Sequence, residues 1–327
     1  MHVNSPDQAS VKAPDRPLLS LVVPFYNESS AIAHFFQRVT PILAALDTLD
    51  YEIVCINDGS ADDTLAQLIA IAKRDSRVRV IDLSRNFGKE AALTAGLNEA
   101  AGDAVIPIDA DLQDPPELIP RLVEQWRNGY EVVLAKRINR DSDSYLKRKT
   151  AHLFYRLYNA VSDIKLPDNV GDFRLIDRQV LEALKQLPEN RRFMKGLFAW
   201  VGFKTATIDY VREARSAGES KFSGWRLWNF ALEGITSFST VPLRWRTYCG
   251  SAISLFAFIY GLVIIFKTLI HGIDMPGYAS ILTVVLFLGG IQLIGIGVLG
   301  EYLGRTYLES KGRPIYLVRR RYQKAGD

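Results

Sequence analysis

VIPIDADLQDPPE, Val105 to Glu117, sets an apolar run directly against three acids, Asp109, Asp111 and Asp114. By length and composition AVIPI is a buried strand. Carboxylates gathered at its end repel one another unless something positive sits among them. Pro115 and Pro116 suit the first turn of a helix, where a missing N–H does no harm. The stretch therefore reads as strand, acidic loop, helix.

The same alternation repeats on both sides. Leu18–Phe25 (LLSLVVPF), Tyr51–Asp58 (YEIVCIND), Val78–Ser84 (VRVIDLS), Asp103–Asp109 and Tyr130–Lys136 (YEVVLAK) are expected strands. Ser29–Leu46, Asp62–Arg74, Lys89–Ala101 and Pro115–Arg127 are expected helices between them. In the first helix Ile32, Phe35, Phe36, Val39, Ile42 and Leu43 recur at helical spacing. Strands alternating with helices predict an α/β fold with a mostly parallel, doubly wound sheet. Such sheets bind ligands at the carboxyl ends of their strands. Asp58, Asn86 and Asp109–Asp111 should then share one crevice.

The 327 residues carry a formal net charge of only +4, which gives no argument for a nucleic-acid partner. Cys55 and Cys249 form neither a disulfide framework nor a zinc pattern, so a reducing compartment is expected. Apolar residues concentrate after about Tyr248. Tyr248–Ile270 has Lys267 as its only charge and Tyr278–Gly300 has none. Each run is about the 20 residues needed to cross a bilayer, and HGIDMPG between them is too short for a domain. A two-helix transmembrane hairpin is expected. Arg244 and Arg246 precede it, and Arg305, Lys311, Arg313 and Arg319–Arg321 follow it, which places both ends and the soluble part on the cytoplasmic side. Gly289, Gly290, Gly295, Gly297 and Gly300 would let helices approach closely, in a homo-oligomer or within the hairpin.

The expected organisation is a mobile tail over 1–17, without the apolar core of a signal peptide, and an α/β domain over 18–224. An interfacial amphipathic segment follows over 225–246, with tryptophans beside arginines; its alternative is a helix packed on the soluble domain. The hairpin spans 247–303, and a basic cytoplasmic tail spans 304–327.

A nucleotide-sugar accounts for the acids. Its diphosphate must be neutralised as it leaves, and Mg²⁺ or Mn²⁺ takes carboxylate, phosphate and water oxygens. Two carboxylates with one spacer, Asp109-Ala110-Asp111, leave positions open for phosphate, and the cation acts as a Lewis acid. Asp58 can accept from a base N–H, or DGSADD can simply start a helix. Arg85 and Lys89 in SRNFGKEAAL meet phosphate or form a surface turn.

VVPFYNE, NDGS, SRNFGKEAA, DADLQDPPE, GDFRLIDR and GESKFS, in this order and followed by two apolar runs, resemble the family-2 glycosyltransferases of GT-A fold. The resemblance extends to the polyprenyl-phosphate branch, which includes dolichyl-phosphate mannose synthase and bactoprenol glucosyltransferase. It covers about Leu18 to Tyr316. It implies that Pro24, Tyr26, Glu28 and Asp58 hold the nucleoside. It implies that Asp109, Ala110 and Asp111 bracket the diphosphate, with Gln113 completing a metal site of Asp109 and Asp111. Arg174 would lie near phosphate or acceptor, Asp172 would position it, and Arg212 and Lys221 would bind the lipid phosphate or the leaving diphosphate. The implied reaction is inverting transfer of one sugar, first of all glucose from UDP-glucose, onto undecaprenyl or another polyprenyl phosphate at the membrane. GDP-mannose, a UDP-4-amino-arabinose derivative and UDP-N-acetylhexosamines are the alternative donors, diacylglycerol the alternative acceptor, and an inactive scaffold the non-enzyme alternative. A lipid phosphate is already an anion near neutral pH, so no essential base is expected. Processive relatives carry Q-x-x-R-W; here Val241 stands where Gln is required before Arg244–Trp245. A dinucleotide-binding fold would want G-x-G-x-x-G after the first strand, where PFYNESS stands.

Overall fold

The computed structural model describes residues 16–138, 170–189, 192, 194–211, 241–271 and 277–323. Strand β1 (Leu18–Phe25), helix α1 (Ile32–Ala44), β2 (Asp50–Asn57), α2 (Thr64–Ala72), β3 (Val78–Leu83), α3 (Lys89–Glu99) and β4 (Ala104–Pro107) follow one another as expected. A 3-10 turn over Pro116–Leu118 leads into α4 (Ile119–Arg127), and β5 (Val132–Arg137) follows. The expected strands lie within a residue or two of these bounds, and the helices are a few residues shorter.

The sheet has the order β7-β5-β6-β4-β1-β2-β3-β8, where β6 is Val170–Asp177, β7 is Thr205–Tyr210 and β8 is Val318–Tyr322. β1 pairs in parallel with β2 and β4, β2 with β3, and β5 with β7. β6 runs antiparallel to β4 and β5, and β8 antiparallel to β3. This is the expected α/β architecture with a mostly parallel sheet.

Both faces of the central strands are covered, which is why they read as unbroken apolar runs. On one face Leu19, Leu21, Val23, Ile53 and Cys55 pack with Phe35, Val39 and Leu43 of α1 and with Leu68, Ile119 and Leu122. On the other, Val22, Val54, Ile56 and Ile81 pack against Ala92, Leu93 and Ala95 of α3. The same layer takes Val180, Leu181 and Leu184 of α5 (Arg178–Lys185) and Leu197 of α6 (Met194–Trp200). Asp177 starts α5 by accepting from the Gln179 N–H at 2.8 Å.

Two long helices follow, α7 (Val241–His271) and α8 (Tyr278–Ser310). Among the described residues one stretch, Phe287–Ser310 of mean hydropathy 1.4, is long and apolar enough to cross a membrane. α7 contributes a shorter apolar run, Tyr248–Tyr260. A Cβ at Gly289, Gly290, Gly297 or Gly300 would meet nothing within 4 Å among the described residues.

The basic tail expected over 304–327 needs correction. α8 continues to Ser310, and Val318–Tyr322 returns to the sheet as its edge strand. Its sequence, VRRRY, is charged because it lies at an edge, where charge discourages further strand pairing. The tail over 1–15 and the interfacial segment up to residue 240 lie outside the described residues.

Candidate active site

The carboxyl ends of β1, β2, β3 and β4 open on one side of the sheet, where the strand order reverses between β1 and β4. Because β6 is antiparallel, its beginning reaches the same side, bringing Asp172 towards Asp109. Lys89, the first residue of α3, joins the two. Its ammonium lies 2.7 Å from Asp109 Oδ1 and 3.0 Å from Asp172 Oδ2. This is the positive charge that the acids after β4 require. Burial works against the Lys89 charge, but Asp109 and then Asp172 outweigh it and raise its pKa. Burial raises Asp109, against the pull of Lys89. Burial also opposes the Asp172 charge, but Lys89 and Lys195 overcome it and hold this carboxyl below the usual range.

Asp111, one spacer on, points outward. Gln113 donates to it through its side-chain amide, and the Gln113 backbone N–H reaches Asp111 Oδ1 at 3.2 Å. Leu112 between them adopts a left-handed backbone (φ 48°) while its side chain is buried in the core. Strain of this kind persists where surrounding packing fixes it, often at functional sites. Asn27, after β1, is the other non-glycine residue with positive φ (53°) among the described residues. Its carbonyl Oδ1 accepts from Ala61 N at 2.8 Å, tying the β1 and β2 loops together. Glu28 has its pKa raised by burial and then by Asp111, Asp62 and Asp109, so it faces the same acidic pool.

Other expected nucleoside residues take distinct places. Tyr26 is half exposed at the rim, Pro24 pairs with Ile56 in the sheet, and Ala110 is buried. Asp58 is buried and accepts from the Phe87 N–H at 2.7 Å and the Gly88 N–H at 2.9 Å. Both of its oxygens thus hold the loop after β3. Gly59 beside it has φ 64°, and a Cβ there would fall inside the backbone of Arg85 and Asn86, so only glycine permits this approach. Arg85 lies over the Phe87 ring at 4.1 Å and donates to Asn86 O.

Arg174 is 4% exposed, stacks on Phe198 at 4.2 Å and donates to Gly171 O at 2.6 Å. Burial pulls its pKa down to about 10. Arg174 Nε, Asp172 Oδ1 and Glu90 Oε2 are buried without hydrogen-bond partners among the described residues. The expected residues Arg212 and Lys221 lie outside the described residues.

Two charged residues of this cluster escaped sequence reasoning, Glu90 and Lys195. The adjacency Lys89–Glu90 was the available signal for the first. Burial, then Asp172, pushes Glu90 up to about 7, against Lys89, the Met194 backbone N–H and Lys195. A carboxyl with a raised folded-state pKa contributes stability that is full below its ordinary pKa of 4.5 and is lost as pH rises through about 7. Glu90→Gln should therefore be more stable than the native chain at about pH 8, by up to about 3 kcal/mol, with the gap closing towards pH 5. Melting curves at the two pH values check this; equal curves at both would show that Glu90 stays ionised without cost.

Residues 20–185 match glycosyl transferase family 2, and residues 242–306 match the GtrB C-terminal hairpin. A prophage bactoprenol glucosyl transferase homolog of Escherichia coli is 55% identical over 92% of this chain and 98% of its own length.

The chain belongs to glycosyl transferase family 2.

The resemblance drawn from its motifs is thereby confirmed at family level. The bactoprenol glucosyl transferase of Shigella phage SfV is 55% identical over 94% of this chain and 99% of its own. An uncharacterized glycosyltransferase of Synechocystis is 54% identical over 92% and 94%. Among solved structures, a glucosyl-3-phosphoglycerate synthase from Mycobacterium tuberculosis aligns with a TM-score of 0.48 at 23% identity, over 67% of this chain and 76% of that one.

Proposed function

We propose that this family-2 member is a membrane-bound inverting glycosyltransferase that moves glucose from UDP-glucose onto a polyprenyl phosphate. The observation that carries the reading is 55% identity, over nearly the whole chain, to proteins named bactoprenol glucosyl transferase. The Lys89–Asp109–Asp172 cluster beside Asp111 supports it chemically.

Among the described residues no group of three or more His, Cys, Asp or Glu side chains could hold a metal ion. The donors present fit a hard cation that shares its shell with substrate: Asp111 and Asp109 carboxylates with the Gln113 side chain beside Asp111, all able to offer oxygen. A bound Mg²⁺ or Mn²⁺ would supply charge neutralisation of the departing diphosphate. The chain's own groups do the rest. Lys89 holds Asp109 and Asp172 in place. Tyr26, Glu28 and the Asp58-anchored loop line the nucleoside end. Arg174 adds positive potential behind Asp172, Arg212 and Lys221 neutralise the phosphates, and the acceptor phosphate attacks as an anion without a dedicated base.

The membrane part serves the acceptor, whose phosphate sits at headgroup level. Two spans, with both ends cytoplasmic, are supported by the hairpin match over residues 242–306 and by the arginines flanking it. The deciding experiment is a transfer assay on the detergent-solubilised full chain with polyprenyl phosphate, Mg²⁺ or Mn²⁺, and UDP-glucose, GDP-mannose or UDP-N-acetylglucosamine in turn. A glucosyl phospholipid made only with UDP-glucose and cation is expected. Product from another donor alone would overturn the choice of sugar, and absence of nucleotide binding would overturn the site.

Lys221→Ala should lower transfer by about tenfold or more while leaving nucleotide affinity within a few-fold, since its charge acts on phosphates in the transition state. Equal losses in both would make it an ordinary binding residue, and no loss would make it surface charge.

A further inference from the structure

The end of the chain reaches the active-site loop. After α8, residues 316–322 run along the outer side of β3, and three contacts fall on the start of the loop that leads to Lys89. The Ser84 N–H donates to Leu317 O at 2.9 Å. Arg319 Nη2 donates to Ser84 O at 2.6 Å, so both polar groups of Ser84's backbone are taken by the C-terminal segment. Arg319 Nη1 stands 3.8 Å from Asp82 Oδ2. That oxygen is buried and lacks a hydrogen-bond partner among the described residues, while Oδ1 accepts from Asn57 Nδ2 at 2.8 Å. Asp82 is 1% exposed, and a buried carboxylate without a counter-charge is costly. The β3–β8 register shifts between Asp82 and Leu83, where this grip is made. Such irregularities re-aim the chain. Phe87 packs in the same apolar layer as Tyr316 and Val318.

We propose that Arg319 is a positioning residue for sugar transfer: from the strand that follows the last helix it sets the Ser84–Gly88 loop, and through it Lys89. The effect on transfer rests on the proposed function; the hold on the loop rests on the geometry alone. The loop is gripped at two points, Ser84 by Arg319 and Leu317, and Phe87–Gly88 by Asp58. Lys89 follows at once, so displacement of the loop displaces the ammonium between Asp109 and Asp172. Arg321 supplies the control. It is on the same strand but pairs with Glu99, at the far end of α3, with a contact of 2.6 Å. Its removal weakens the strand without touching the loop.

The experiment compares full-length Arg319→Ala, Arg319→Lys and Arg321→Ala in detergent by amide hydrogen exchange, melting temperature and donor kinetics. In Arg319→Ala, exchange at Phe87 and Gly88 should speed by about tenfold, the loss of one charge-assisted hydrogen bond. Its donor KM should rise by about fivefold. Arg319→Lys should recover most of both, and Arg321→Ala should change neither despite an equal or larger drop in melting temperature. Unchanged exchange at Phe87 and Gly88 in Arg319→Ala would overturn the proposal. So would equally fast exchange in Arg321→Ala, which would reduce β8 to a structural edge. A native enzyme that transfers no sugar would sink the proposed function, and the exchange measurement would still decide the positioning.

Discussion

Asp111→Ala is expected to abolish transfer, with a loss of about a thousandfold or more, while the protein still folds and inserts. Asp111 is the outward acid of the pair, and among the described residues it accepts from Gln113, two residues on. The side chain is exposed and, among the described residues, bonds within its own loop, so stability should move by less than about 1 kcal/mol. On the proposed function its oxygens would hold a cation against the diphosphate, where the charge to be stabilised develops only as the bond breaks. Interactions of that kind act on the rate rather than on folding. The check is turnover of glucolipid alongside a melting curve. A variant that turns over within tenfold of the native enzyme would remove Asp111 from the site.

Lys89→Gln should be the second most damaging change, and of a different kind. Asp109 and Asp172 are held by one ammonium, and Glu90 stands nearby with an oxygen that has no hydrogen-bond partner among the described residues. Taking the ammonium away leaves like charges facing one another. Removing one partner of a buried pair costs about 3–5 kcal/mol; Lys89 is half exposed, and solvent screening reduces this to about 1–2 kcal/mol. Transfer should fall further than stability does, by about a hundredfold, because Asp109 and Asp172 lose their fixed separation. Lys89→Arg keeps the charge and should recover part of the rate. Turnover of Lys89→Gln within threefold of the native rate would mean that Lys89 only fills a surface turn.

Much of this arrangement was legible in the sequence. Strands such as Leu18–Phe25 and Asp50–Asn57 are apolar along their whole length because both faces of the sheet are covered, and that pattern needs no partner to be recognised. The acids at the end of β4 were visible because their mutual repulsion is a local problem. The solution was not local. Lys89 is separated from Asp109 by a helix and a strand, and from Asp172 by far more, so their meeting depends on strand order and on β6 running backwards. In sequence Asp58 reads as available to a ligand because the N–H donors it accepts from, Phe87 and Gly88, come from another strand's loop. β8 was hidden most completely. VRRRY has no buried face of its own, and what makes it a strand is the open edge of β3.

That edge strand also constrains how the chain could thread a bilayer. β7, before the two long helices, and β8, after them, belong to one sheet. A sheet cannot be shared across a membrane, so the path from Tyr210 to Val318 must leave and return to the same side. The number of crossings between them is therefore even. If α8 crosses, one further crossing must lie between Tyr210 and α8, whatever the hydropathy of any single segment. α7 is the long helix in that interval. An odd number of crossings, a solitary anchor included, is what this hydrogen-bonded edge forbids.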